Sequence, residues 1–251
     1  MPIELSVNLK GVKQLRGVLT GLSKKMPEIE HFALINAGEK AKDAITGQII
    51  GVFDRPTSKI IKAVRISDSL GGKVGRRTIG KPLKIWLKDV YTDKSGENML
   101  ERVLSPHIFG GRRAAKPSEL RLRRAGILRS GEFLVPSRSA PLNRHGNITG
   151  GEMTRILSDL KSFTEAGFNA NRNLQKAGKD RYFVASPRGT RGIYKAVGAG
   201  GRGISLVFLI VKGAPTYRKS LRFFETGASV FTNNIYREFD RVFNRYVSKL
   251  N

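Results

Sequence analysis

The sequence predicts an α+β fold in which an antiparallel sheet packs with long helices and carries a basic, irregular insertion. Apolar residues recur at three- and four-residue spacing in the first fifty residues and again near the C-terminal end. Short segments of alternating apolar and polar residues, divided by glycine and proline, lie between these helical patterns. The order of helices and strands lacks the regular β–α–β alternation that a parallel sheet requires, which favours antiparallel pairing.

The N-terminal fifth predicts one strand and two helices. Residues 3–8 alternate as in a half-buried strand. Apolar spacing from Val12 to Leu22 predicts an amphipathic helix, which we expect to break at Met26-Pro27 because proline lacks a backbone N–H. Pro27 suits the first turn of a second helix, which is rich in alanine and runs from Glu28 to about Phe53.

The next segment predicts a short helix, a turn and a strand. Thr57 or Ser58 can cap the short helix, and two glycines predict a turn at residues 70–73. Residues 81–89 alternate as a strand, with Trp86 on the polar face. Trp86 is either a partly covered surface aromatic or the anchor of an interface.

Residues 90–150 are rich in Gly, Pro, Ser and Arg, and predict irregular structure around two short elements. These elements are a helix over 117–124 and a strand over 132–135. Long irregular segments usually carry function or are ordered by a partner, so we expect a basic docking arm here. The composition favours a single domain over 1–251, with 90–150 as its extended docking region.

The C-terminal hundred residues predict helices before and after a group of strands. Thr149 and Glu152 form a capping-box pattern that begins a helix, and a second helical stretch spans 163–177. An amphipathic helix follows over 231–250, with an aromatic stripe that we expect to face the core. The strand candidates, which are separated by glycine- and proline-containing turns, are 181–185, 192–197 and 203–211.

The net charge is the largest departure from an ordinary globular composition. The 251 residues include 46 Lys+Arg and 20 Asp+Glu, which gives a net charge of +26. The net charge is +1 over residues 1–54, +13 over 55–130 and +12 over 131–251. This excess favours a polyanionic partner, namely nucleic acid, an acidic protein surface or an anionic membrane, although a solvated basic face without a ligand is the alternative.

The basic residues are densest over Arg102–Arg129, where Glu119 is the one acidic residue. Such density predicts a partner surface. We therefore assign no catalytic, cofactor-binding or metal-binding residue, but a set of candidates for interface formation and polyanion docking. The candidates are Trp86, Arg102, Arg112, Arg113, Lys116, Arg121, Arg123, Arg124 and Arg129.

Sequence motifs for catalysis are weak. The absence of cysteine excludes disulfides, Cys-ligated metals and a cysteine nucleophile, and three distant histidines leave little for a metal site. Gly198–Gly203 matches G-x-G-x-x-G, but a strand follows where a dinucleotide site needs a helix, so we expect a hairpin loop. The scattered carboxylates of 89–101 do not form a nuclease signature. We expect a non-enzymatic protein without a cofactor.

No segment of the sequence predicts membrane insertion. The longest apolar run, Ile204–Val211, is far shorter than the roughly 20 residues of a membrane helix. The N-terminal residues lack the apolar core of a signal peptide. We expect a soluble protein made in the cytoplasm.

The order of features resembles tail-completion and neck proteins of tailed bacteriophages, including the minor-tail-Z group. The resemblance begins with Leu5–Leu15, the alanine-rich helix and the basic segment 59–65. A more specific likeness, to prophage minor tail proteins, lies in the middle block. Its segments are Pro106–Gly111, Leu120–Leu128, Gly131–Pro136 and Leu142–Ile148.

The resemblance implies a structural virion protein at the head–tail junction or the tail end. It implies a ring, of six or twelve copies, that docks to portal, connector and tail proteins around the DNA channel. Contact with packaged DNA is compatible with the charge, but the sequence leaves open whether the basic face meets DNA or acidic protein neighbours. The alternative function is a sequence-independent nucleic-acid-binding protein, whose binding would weaken steeply with salt.

Overall fold

A computed structural model describes residues 9–68, 75, 78–87, 99–162, 181–198 and 201–249. The predicted strand at 3–8, the turn at 70–73, the helix at 163–177 and most of the carboxylate segment 89–101 lie outside these residues. The helices are α1 (Leu9–Val52), α2 (Ser58–Ile61), α3 (Met99–Phe109), α4 (Pro117–Arg124), α5 (Gly150–Asp159) and α6 (Phe223–Val247). The strands are β1 (Val64–Asp68), β2 (Leu83–Leu87), β3 (Gly111–Arg112), β4 (Glu132–Pro136), β5 (Tyr182–Ala185), β6 (Gly192–Val197), β7 (Gly203–Lys212) and β8 (Thr216–Tyr217).

All strand pairs in the described residues are antiparallel, so the predicted α+β class is confirmed. The chain divides into two compact units. The first unit comprises Met1–Val52, Ser58–Leu100 and Leu221–Asn251, and the second comprises Phe53–Thr57 and Glu101–Ser220.

The predicted extended arm is compact where the structure describes it. Leu122, Leu128 and Leu134 belong to the buried core of the second unit. Their burial removes apolar surface from water and so stabilises the packing of the chain from Glu101 onwards within that unit. The number of independently folding domains stays a prediction.

In the first unit, α1 and α6 run antiparallel along each other. Gln48 on α1 accepts a hydrogen bond from the backbone N–H of Arg222 at 3.0 Å. Sixteen residues after Arg222, the buried carboxylate of Glu238 on α6 pairs with the Lys40 ammonium of α1 at 2.5 Å. The fully buried α1 residues recur at four-residue spacing and form one stripe, and they are Ile29, Ala33, Ala37, Ala41, Ile45 and Ile49.

The predicted helix break at Met26-Pro27 is wrong, because α1 continues through Pro27. A proline inside a helix removes one N–H donor and crowds the carbonyl four residues earlier. Pro27 lies on the exposed side of α1, where water can bond the carbonyl that loses its donor. The buried stripe that begins at Ile29 favours the helix on the opposite side.

In the second unit, the strands form a four-stranded antiparallel sheet in the order β4-β7-β6-β5. Its core face includes Leu134, Ile193 and Phe208, which pack with Leu122 of α4 and Ile156 of α5. The predicted helix over 117–124 and the strands of this sheet are confirmed to within a residue or two.

Two local predictions in the second unit are confirmed by geometry, and one element is new. The hydroxyl of Thr149 accepts the N–H of Glu152 at 3.2 Å and begins α5. The G-x-G-x-x-G segment joins β6 to β7, whose residues Val197 and Gly203 pair directly. Helix α3 was not expected in the irregular region; its residues Leu104 and Ile108 are buried, and this burial favours the helix over the loop.

The predicted C-terminal helix is confirmed and begins earlier than expected, at Phe223. Its aromatic stripe is less buried than the sequence suggested. Phe231, Phe239 and Phe243 are half-buried, whereas Val242 is almost fully buried.

Candidate polyanion-docking surface

Most acidic side chains of the second unit are buried or half-buried in the part that the structure describes. Glu119 has 0% of its surface exposed, Asp159 2% and Glu132 6%, and Glu152 is half-buried. Asp54 is exposed and pairs with its neighbour Arg55. A buried carboxylate must be paired or hydrogen-bonded, so each one uses basic or N–H groups of the fold.

Glu119 is held by four hydrogen bonds. Its oxygens accept from the Arg113 guanidinium at 2.6 and 2.8 Å, a bidentate pair. They also accept the backbone N–H of Lys116 at 2.7 Å and of Leu134 at 2.8 Å. Burial alone would raise the pKa of Glu119, but these donors outweigh it and the pKa lies below its ordinary value. Glu119 thereby ties the first turn of α4 to strand β4.

Glu132 organises a second internal ion pair at the start of β4. Its carboxylate accepts the Arg191 guanidinium at 2.5 Å and the backbone N–H of Arg129 at 2.7 Å. Burial raises the pKa of Glu132, and these two donors lower it further than burial raises it. The Arg191 guanidinium also donates to the carbonyl of Ile127 at 2.8 Å, and Arg123 donates to the carbonyl of Glu132 at 2.8 Å.

Two predicted docking residues therefore serve the fold itself, and we withdraw them from the docking surface. Arg113 pairs with Glu119, and its side chain is 10% exposed. Arg113 and Arg123 also lie over the ring of Phe133, with their guanidinium carbons 5.2 and 4.9 Å from its centroid. The charge of Arg113 is therefore used by Glu119, and both guanidinium groups lie against an aromatic ring within the fold.

Arg102 is also engaged within the chain: it is half-buried and donates to the carbonyl of Ala115 at 3.1 Å. Arg121 is half-buried on α4. The structure places the remaining basic candidates on the exterior of the second unit, and they are Arg112, Lys116, Arg124 and Arg129.

Trp86 lies in the first unit, whereas the basic candidates lie in the second. It is half-buried on β2, and its indole N–H donates to the Ser67 hydroxyl at 2.9 Å. The Lys84 ammonium lies 5.1 Å from the ring centroid. These contacts fit a partly covered surface aromatic, and an interface role stays a prediction.

The second unit is strongly basic in sequence, and many of its basic side chains are exposed where the structure describes it. It contains 24 Lys+Arg against eight Asp+Glu, which gives +16. Fourteen of its basic side chains are exposed in the described residues: Arg55, Arg112, Lys116, Arg124, Arg129, Arg138, Arg144, Lys161, Arg181, Arg188, Arg202, Lys212, Arg218 and Lys219. Because the described acids are mostly inside, few negative charges screen these cations at the surface.

One end of the sheet gathers basic residues that sequence reasoning missed. Lys212 lies directly opposite Glu132 in the β4–β7 register, and Arg191 reaches the same carboxylate. Arg129 precedes β4, and Arg188 lies in the turn between β5 and β6. We call Arg129, Arg188, Arg191 and Lys212 the basic end. Up to 83 residues separate its members, so only the strand register brings them together.

Other features offer less chemistry. Among the described residues, no group of three or more His, Cys, Asp or Glu could hold a metal ion. The His107 imidazole contacts the Ser220 hydroxyl at 3.1 Å, and burial lowers the pKa of His107. Among the described residues, the rings of Phe53 and Tyr217 also contact this imidazole.

The first unit contains an apolar groove of about 440 Å³ between α1, α6 and the β1–β2 pair. Leu34, Ile66, Ile85 and Phe224 are among its lining residues. Of the helices that the structure describes, none is long and apolar enough to cross a membrane.

Comparison with protein-family models, with curated proteins and with solved structures finds no match for this chain.

Proposed function

We propose that this chain is a structural virion protein of a tailed bacteriophage, which completes or joins the tail at the head–tail junction or tail end. It acts by assembling into a ring of six or twelve copies and docking to portal, connector and tail proteins around the DNA channel. Its place of action is the neck or tail of the particle.

The observation that carries this proposal is the outward basic surface of the second unit. Fourteen exposed cations and inward-facing acids suit docking to a polyanionic neighbour. A surface of this kind binds without turning over a substrate, as a joining protein must.

The segments that resemble minor tail proteins support the proposal in a second way. Leu120–Leu128 supplies the core residues Leu122 and Leu128, and Gly131–Pro136 contains strand β4. The Arg113–Glu119 pair, which precedes the first of these segments, binds the backbone of Leu134 in the second. The resemblance therefore falls on residues that set the frame of the basic unit, rather than on scattered surface positions.

Quantitative mass spectrometry of purified particles tests the proposal. A phage or induced prophage that encodes the chain is expected to contain about as many copies of it as of a ring-forming neck protein, scaled to the portal. Deleting the coding sequence is expected to leave heads and tails unjoined or tails incomplete, and complementation with the wild-type chain is expected to restore infectivity. Absence from purified particles would refute the proposal.

A sequence-independent nucleic-acid-binding protein is the second candidate, since the same exposed cations suit phosphate contacts. That function does not require the chain to be part of a particle. The two candidates are therefore separated by the copy number in purified virions, measured after nuclease treatment and washing in high salt.

A further inference from the structure

We infer that the basic end of the sheet in the second unit is a contact surface for the phosphate backbone of duplex DNA. The inference deepens the proposed function, on which it rests, by naming packaged DNA as the partner of this surface. The contact would be independent of base sequence, because phosphates carry no sequence information directly.

The arrangement around Glu132 keeps the basic end in place. The carboxylate, 8% exposed, binds one guanidinium, that of Arg191, and the backbone N–H of Arg129. The Glu132 carboxylate carries one negative charge and the basic end carries four positive charges, so the local net charge is about +3. The Arg191 side chain is 32% exposed, and its guanidinium is held by Glu132 and by the carbonyl of Ile127, so direct phosphate contact falls to Arg129, Arg188 and Lys212.

The spacing of the basic end suits a duplex. Neighbouring strands lie about 4.8 Å apart, so the outer strands β4 and β5 are on the order of 14 Å apart across three spacings. The major groove of B-DNA is about 12 Å wide between its phosphate backbones. Arg129 beside β4 and Arg188 after β5 can therefore reach phosphates on opposite sides of one groove, with Lys212 and Arg191 between them.

The surroundings favour DNA over an acidic protein. Protein interfaces obtain most of their affinity from buried aromatic and other apolar side chains. Segments 129–132, 186–192 and 210–213, which form this end, contain none of the exposed large apolar side chains of the described chain. Protein–DNA interfaces are instead polar and strongly positive, and arginine binds phosphate through a planar fork.

The opposite end of the sheet provides a matched control. Arg181 precedes β5 and Arg202 precedes β7, and both side chains are exposed. The ten residues of β7 place this end about 30 Å from Lys212, well beyond the roughly 10 Å Debye length at 0.1 M salt. Ile204, which is 50% exposed, lies beside Arg202 and gives that end a less polar character.

The test measures binding of the full chain to a labelled 24-base-pair duplex of scrambled sequence, over a series of salt concentrations. Each phosphate contact contributes about 0.9 to the slope of log affinity against log salt. The double variant R129Q/K212Q is expected to lower that slope by about 1.8. If the affinities converge at 1 M salt, the variant binds about 60-fold more weakly at 0.1 M. The control R181Q/R202Q, with the same loss of charge, is expected to stay within about threefold of wild type.

Three results would overturn the inference. They are an equal loss of binding in both double variants, no binding of wild type to the duplex at 0.1 M salt, and preferential binding to polyglutamate of matched charge. Thermal melting of each variant checks that the fold is intact, and R188Q provides an independent variant within the basic end. Presence of the chain in particles without DNA binding would refute this inference alone, whereas DNA binding with absence from particles would refute the proposed function.

Discussion

Removing either partner of the buried Arg113–Glu119 pair should strongly destabilise the second unit. We predict the strength of this pair from a double-mutant cycle with Arg113→Met and Glu119→Gln. Removing Arg113 leaves a fully buried carboxylate with two backbone N–H donors in place of four donors. Breaking one partner of a buried ion pair typically costs about 3–5 kcal/mol of unfolding free energy.

The double variant should be less destabilised than the sum of the two single variants. Glu119→Gln leaves the Arg113 guanidinium without its carboxylate, at a cost of about 3 kcal/mol. In the double variant neither charge is left unpaired, and the amide oxygen can still accept from the N–H of Leu134. We therefore expect a total loss of about 4 kcal/mol and a coupling of about 3 kcal/mol between the two positions.

Urea unfolding followed by far-UV circular dichroism measures these free energies. Hydrogen exchange of the peptide that spans residues 131–136 then shows whether the loss is local to β4. Arg112→Met is the matched control, because Arg112 is the exposed neighbour of Arg113 and its loss should change stability by less than about 0.5 kcal/mol. A change below about 1 kcal/mol in Arg113→Met, or strict additivity in the cycle, would refute the structural role assigned to this pair.

Three further predictions concern pH, packing and the tryptophan. The pKa of Glu119 in the folded chain lies below its ordinary value, so ionised Glu119 stabilises the fold above about pH 4.3. This stabilisation is lost as the pH falls through the folded pKa. In Glu119→Gln the urea midpoint should therefore depend less on pH on the acid side. Gly192→Ala should lower the unfolding free energy by about 1–3 kcal/mol, because the new Cβ would lie 2.5 Å from a backbone oxygen of β7. The control Gly151→Ala, whose Cβ would meet open space, should not lower the melting temperature. Trp86→Phe should cost about 1 kcal/mol in urea unfolding by removing the hydrogen bond from the indole N–H to the Ser67 hydroxyl.

Elements with a complete local signal could be predicted from the sequence. The strand over 192–197 is set off by turn glycines, Gly189 before it and Gly198 after it, and its bounds agree with β6. The Thr149 cap is another case, because the hydroxyl and the N–H of Glu152 are only three residues apart. In both cases the residues that signal the element lie within or directly beside it, although the ladder partners of β6 lie as far away as Leu209.

Predictions failed where distant contacts decided the outcome. Pro27 was expected to end a helix, but the buried stripe of α1 and its packing along α6 favour one continuous helix of 44 residues. Arg113 was expected at the surface because its neighbours are basic. Its charge is instead used by Glu119, whose burial depends on strand β4 about fifteen residues later in the chain. Neither burial nor pairing is visible in a local count of charges.

The inward placement of acids also bears on how copies of the chain could assemble. The net charge of +26 is the same however acids and bases are arranged, but an acid weakens the local positive potential most where it lies among basic side chains at the surface. In the second unit the acids Glu119, Glu132 and Asp159 are buried, so the exterior carries the excess of basic side chains. Identical second units brought within a Debye length would therefore repel one another. A polyanion that lies against the basic ends would offset this repulsion. The basic ends would therefore oppose assembly of a ring without DNA and would support it around DNA.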